Sequence, residues 1–66
     1  MEGRAVRKGE RLYQVVAPHY CAGFVVDNYG LCIRAAPILR WAINRSISHL
    51  LRYLVEQKKF TVIDVR

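Results

Sequence analysis

Four short runs of β-branched, aromatic and small apolar residues stand out along the chain: Leu12 to Ala17, Cys21 to Val26, Leu31 to Ala35 and Phe60 to Val65. Residues of this kind in runs of five or six fit a pleated, half-buried surface, so each run is read as a strand. Between the third and fourth runs the period changes. Ile47, Leu50, Leu51, Leu54 and Lys58 recur at i, i+3, i+4 and i+7, with Ser48, Arg52 and Glu56 on the other side, which predicts one main helix with an apolar stripe.

The punctuation agrees with these elements. Pro18 cannot donate to a ladder and ends the first strand. Asp27-Asn28-Tyr29-Gly30 joins the second and third strands and suits a turn followed by a left-handed glycine, the hairpin signature. If that turn pairs Val26 with Leu31, Cys32 lies opposite Val25. Gly23, inside a strand, reads most simply as a bulge and otherwise as a place where a backbone or ligand approaches closely. Pro37 is tolerated in a first helical turn, so a short helix over Ile38 to Ile43 is expected, interrupted near Asn44, a residue that accepts left-handed geometry. Ser46 is the candidate N-cap of the main helix.

The predicted fold is therefore α+β: a small β-β-β-α-β domain, an antiparallel hairpin and meander with one main helix packed on a four-stranded sheet, the helix broken near Asn44. The last strand is expected to return beside the first, giving the spatial order 3-2-1-4. Residues 1–10 have no hydrophobic period and contain two glycines, which marks a flexible basic arm, leaving 11–66 as a single domain.

Composition bears on assembly. A chain of 66 residues buries only about 60% of its unfolded surface, yet 53% of its residues are apolar. One helix covers one face of a sheet, and the second run looks apolar on both sides. Both points predict a homo-oligomer, a dimer or higher, so that the chain itself is a partner. Cys21 and Cys32 are too few for a disulfide framework, no secretory pattern opens the chain, and no apolar run is long enough for a membrane span, so a cytoplasmic protein with reduced thiols and no membrane partner is expected.

Candidate chemistry is sparse. His19, Cys21, Cys32 and His49 lack metal-ligand spacing, so no metal is expected. No carboxylate pair, activated nucleophile or glycine-rich phosphate loop is legible, so no enzymatic activity, catalytic residue or cofactor is expected either. The formal charge of +6 draws attention to anions; the first eleven residues account for +2 of it, with four cations against two carboxylates. Arg34 leaves the third strand, Arg40 and Trp41 sit in the short helix, and Arg45 precedes the main helix. Arginines beside a helix start, with Trp41, Tyr20 and His19 to stack or hydrogen-bond, make a candidate site for a nucleotide-like or short nucleic-acid ligand. The alternative is structural: Trp41 plugs a core or interface and Arg40 covers it through a cation–π contact.

Ala17-Pro18-His19-Tyr20-Cys21-Ala22-Gly23 and Ala35-Ala36-Pro37-Ile38-Leu39-Arg40-Trp41, with a Tyr53-centred helix ending in a basic run, resemble a group of short open reading frames of tailed phages and prophages. The group brings no established activity, so no residue role is carried over. The resemblance implies a context, host cytoplasm and counter-defence, in which a compact oligomer would sequester a nucleotide immune signal. A sequence-tolerant nucleic-acid binder and an adaptor that inhibits a host protein are the alternatives.

Overall fold

The computed structural model describes residues 6–65. Its elements are β1 (Arg11–Ala17), β2 (Tyr20–Val26), β3 (Cys32–Ala35), a 3-10 helix (Pro37–Ala42), α1 (Ile47–Leu51) continued by a π-helical stretch (Arg52–Gln57), and β4 (Thr61–Val65). The four strands form one antiparallel sheet in the order β3-β2-β1-β4, as the sequence predicts, and the helices pack on one face of it. Val15, Phe24, Cys32, Leu39, Ala42, Leu50 and Leu54 make the core. Among the described residues no helix is long and apolar enough to cross a membrane.

The β1–β2 connection is the two-residue turn Pro18-His19, with Ala17 paired to Tyr20. Proline holds φ near −65°, so the turn cannot be of the primed type that such short hairpins favour. The second hairpin follows its turn chemistry. The Gly30 N–H donates to the Asp27 carbonyl at 3.0 Å and Gly30 takes a φ of 86°. One carboxylate oxygen of Asp27 accepts from the N–H groups of Tyr29 and Leu31.

The register beyond that turn differs from expectation. Val26 pairs with Cys32 and Val25 with Arg34, so Ile33 is an extra residue in β3. The slip accompanies a bridge from Leu31 to Ser46, while the Leu31 carbonyl still accepts from the Asp27 N–H at 2.9 Å. The slip moves Cys32 from the outer face into the core and leaves Arg34 on the outer face. Gly23, expected at a bulge, sits in regular register opposite Gln14, and its carbonyl accepts from the Ala36 N–H at 2.9 Å.

The segment after the 3-10 helix closes the β3 edge of the sheet. Asn44, at φ 76°, turns the chain so that its N–H donates to the Cys32 carbonyl (2.8 Å), while the Cys32 N–H donates to the Arg45 carbonyl (2.9 Å). Ser46 then caps α1, its hydroxyl accepting from the His49 N–H at 3.2 Å. Leu50 and Leu54 are fully buried, as the predicted stripe requires. Lys58 leaves that stripe. Its N–H bonds to the Tyr53 carbonyl five residues back (3.0 Å), the wider π turn, and this places Lys58 over the Tyr53 ring rather than on the sheet.

Strand register divides the side chains between two faces. Tyr13, Val15, Ala22, Phe24, Val26 and Val62 face the helices, whereas Leu12, Gln14, Val16, Gly23, Val25 and Ile63 share the open face with Cys21 and Arg34. No helix of the described chain covers that second face. Of the expected arm, residues 6–10 lead into β1 through a turn in which the Glu10 N–H donates to the Arg7 carbonyl at 2.9 Å. Residues 1–5 lie outside the described residues.

Candidate functional site

The 3-10 geometry decides what Trp41 does. With three residues per turn, side chains at i and i+3 eclipse one another. Across a kink at Leu39 (φ −110°, ψ 19°), Leu39 and Ala42 are nonetheless buried and Ile38 and Trp41 exposed. Trp41 remains 40% exposed, its indole edge-on to Tyr53 with ring centroids 5.2 Å apart and planes at 74°. Tyr53 in turn carries the Lys58 ammonium 5.8 Å from its ring centroid. Arg40 is exposed beside Trp41. Trp41 is thus neither a core plug nor capped by Arg40; the cation–π contact in this group belongs to Lys58 and Tyr53.

The six residues singled out in the sequence do not converge on one pocket. Arg40 and Trp41 stand together on the helix layer. Arg45 is exposed before the Ser46 cap, its backbone docked on β3. Tyr20 faces the helices and meets Phe60 edge-on, with centroids 5.9 Å apart. His19 is exposed in the β1–β2 turn. Arg34 lies on the opposite face of the sheet, where its guanidinium donates to the Glu10 carboxylate at 3.1 Å.

Tyr53 and Lys58 join the Trp41 group without having been singled out for it. Their five-residue spacing brings them together only in a π turn, and nothing in an i, i+3, i+4 pattern announces one.

Carboxylates are distributed unevenly. Glu10 binds Arg34, Asp64 binds Arg11 at 2.6 Å, and Asp27 is spent on its own turn. From Pro37 to Lys59 the chain carries Arg40, Arg45, Arg52, Lys58 and Lys59 against the single carboxylate Glu56. The helical segment therefore carries most of the excess positive charge, and it includes the half-exposed tryptophan.

The open face offers a shallow concavity of about 380 Å³ around Gly23, lined among others by Leu12, Gln14, Val25 and Arg34. It is weakly suited to an anion, because the arginine on its wall already holds a carboxylate. Cys21 is exposed on this face and Cys32 is buried, where desolvation pushes its thiol above the ordinary range. The two thiols lie on opposite faces. Among the described residues no three His, Cys, Asp or Glu side chains gather as a metal site would need. No known protein family, curated protein or solved structure matches this chain.

Proposed function

We propose that the chain is a non-enzymatic binding protein whose helix layer takes a ligand made of phosphate and base, a nucleotide or a short single strand of nucleic acid. The observation that carries this reading is a half-exposed tryptophan in a segment, Pro37 to Lys59, that carries five cations against one carboxylate. Trp41, backed by Tyr53, offers a ring on which a base stacks. Arg40 and Lys58 beside it take phosphate, and Arg45, Arg52 and Lys59 extend the positive surface. Arg34 and His19, placed elsewhere, have no part in it. The resemblance to small phage reading frames supports counter-defence as the role, with a host nucleotide signal as the captured ligand.

Titration of labelled single-stranded oligonucleotide and of mononucleotides and cyclic dinucleotides at several salt concentrations tests the reading and separates the two sources. A strand lying along the cationic surface gives a steep salt dependence, with log K falling by about 0.7 per neutralised phosphate for each unit of log salt. A captured nucleotide gives a shallow slope and a fixed stoichiometry. Under either source Trp41→Ala weakens binding by about 5-fold to 150-fold, the equivalent of ~1 to 3 kcal/mol of stacking. Unchanged affinity in both Trp41→Ala and Arg40→Ala, or no binding by either ligand class, would overturn the proposal.

A further inference from the structure

The two edges of the sheet are treated differently. The outer edge of β3 is covered at its start by the chain itself, through the backbone bonds between Cys32 and both Asn44 and Arg45 and the bridge from Leu31 to Ser46. β4 has β1 on one side and, among the described residues, no strand on the other. It also lacks the devices that blunt a free edge: it contains no proline or lysine, and its five pairs with β1 run without a bulge. Its one charge, Asp64, is bound to Arg11.

We infer that the outer edge of β4 joins two copies of this chain, β4 pairing antiparallel with its twofold mate about Ile63 to make one continuous eight-stranded sheet. The sequence of β4 is complementary to itself in that register. Ile63 meets Ile63 of the second copy, Thr61 meets Val65, and Asp64 meets Val62 rather than another Asp64. A register centred on Asp64 would set two carboxylates side by side, which cross-strand pairing disfavours. An antiparallel pair about a twofold axis is isologous, so the association closes at two copies. The arrangement extends the apolar open face across both copies, with Ile63, 45% exposed in the single chain, at its centre. It places the helix layers of both copies on one side of the sheet, so this inference stands independently of what Trp41 binds.

The test is a charge swap across the axis, read by molar mass in solution with circular dichroism as a check on folding. The native chain is expected to be a dimer. Ile63→Lys and Ile63→Glu each set like charges opposite themselves and raise the dissociation constant at least ~10-fold, while an equimolar mixture of the two variants restores a dimer. Val16→Lys, on the open face of β1 and away from the edge, leaves the dimer intact. Hydrogen exchange of the native chain gives a second measurement: the β4 amides that point away from β1, at every second residue, lose protection on dilution. A native chain that is monomeric at every concentration, a mixture that fails to reassociate, or dissociation by Val16→Lys but not by Ile63→Lys would overturn the inference, the last pointing to packing of sheet on sheet.

Discussion

Replacing Lys59 by glycine should make the protein more stable, although it removes a side chain and adds no contact. Lys59 takes a φ of 62° where the chain leaves the main helix, and the Phe60 N–H closes that end on the Leu54 carbonyl at 2.9 Å. An L-residue held in left-handed geometry costs roughly 1 to 2 kcal/mol, because its Cβ crowds the following carbonyl. Glycine is free of that strain but loses about 0.5 to 1 kcal/mol more backbone entropy on folding. The difference spans about 0 to 1.5 kcal/mol, and a mid-range gain of about 0.75 kcal/mol raises the midpoint of thermal unfolding in a domain of this size by about 3 to 6 °C. Lys59→Ala is the control: it keeps the strained backbone and removes only an exposed side chain, so its midpoint should stay near that of the native chain. Thermal and urea unfolding followed by circular dichroism measure both. A glycine variant no more stable than the alanine variant would show that the helix end is not held in left-handed geometry in solution.

Other consequences follow from the core and its buried thiol. Phe24 is fully buried and stacked on Tyr13 with ring centroids 5.4 Å apart; Phe24→Ala should cost about 3 to 5 kcal/mol, as much as a core of this size supplies, and abolish cooperative unfolding. Burial raises the Cys32 thiol, so the thiolate forms more readily in the unfolded chain than in the fold. Stability should therefore fall as pH rises through about 9, where the unfolded thiol ionises, and fall less in Cys32→Ala, as urea titrations across that range would show. A thiol reagent at neutral pH should modify the exposed Cys21 quickly and reach Cys32 only on unfolding.

Much of the architecture is legible in local chemistry. Asp27 and Gly30 specify their turn, Pro37 opens a helical turn, Asn44 accepts the left-handed break and Ser46 caps the main helix, each through a property of its own side chain. The errors arise where a distant partner decides. Ile33 bulges beside the bridge from Leu31 to Ser46, fifteen residues on, and that slip buries Cys32. Over six residues a period of three cannot be told from 3.6, so the exposed stripe of Ile38 and Trp41 is visible only once the 3-10 geometry is known. The separation of Arg34 from Trp41 does have a signal in the sequence, since alternation along β3 sets Arg34 on the face of Gly23 and Val25, away from the helix. Grouping residues by their place in the chain overlooked that face.

A base stacked on Trp41 would report on the one tryptophan of the chain, with no other indole to confuse the signal. Titrating the native protein with unlabelled single-stranded oligonucleotide, and separately with nucleotides, while following tryptophan fluorescence therefore reads the proposed site directly. Saturable quenching that weakens in Arg40→Ala and with added salt is the predicted result. Binding seen by an independent method while the tryptophan emission stays unchanged would place the ligand elsewhere and rule out the proposed site.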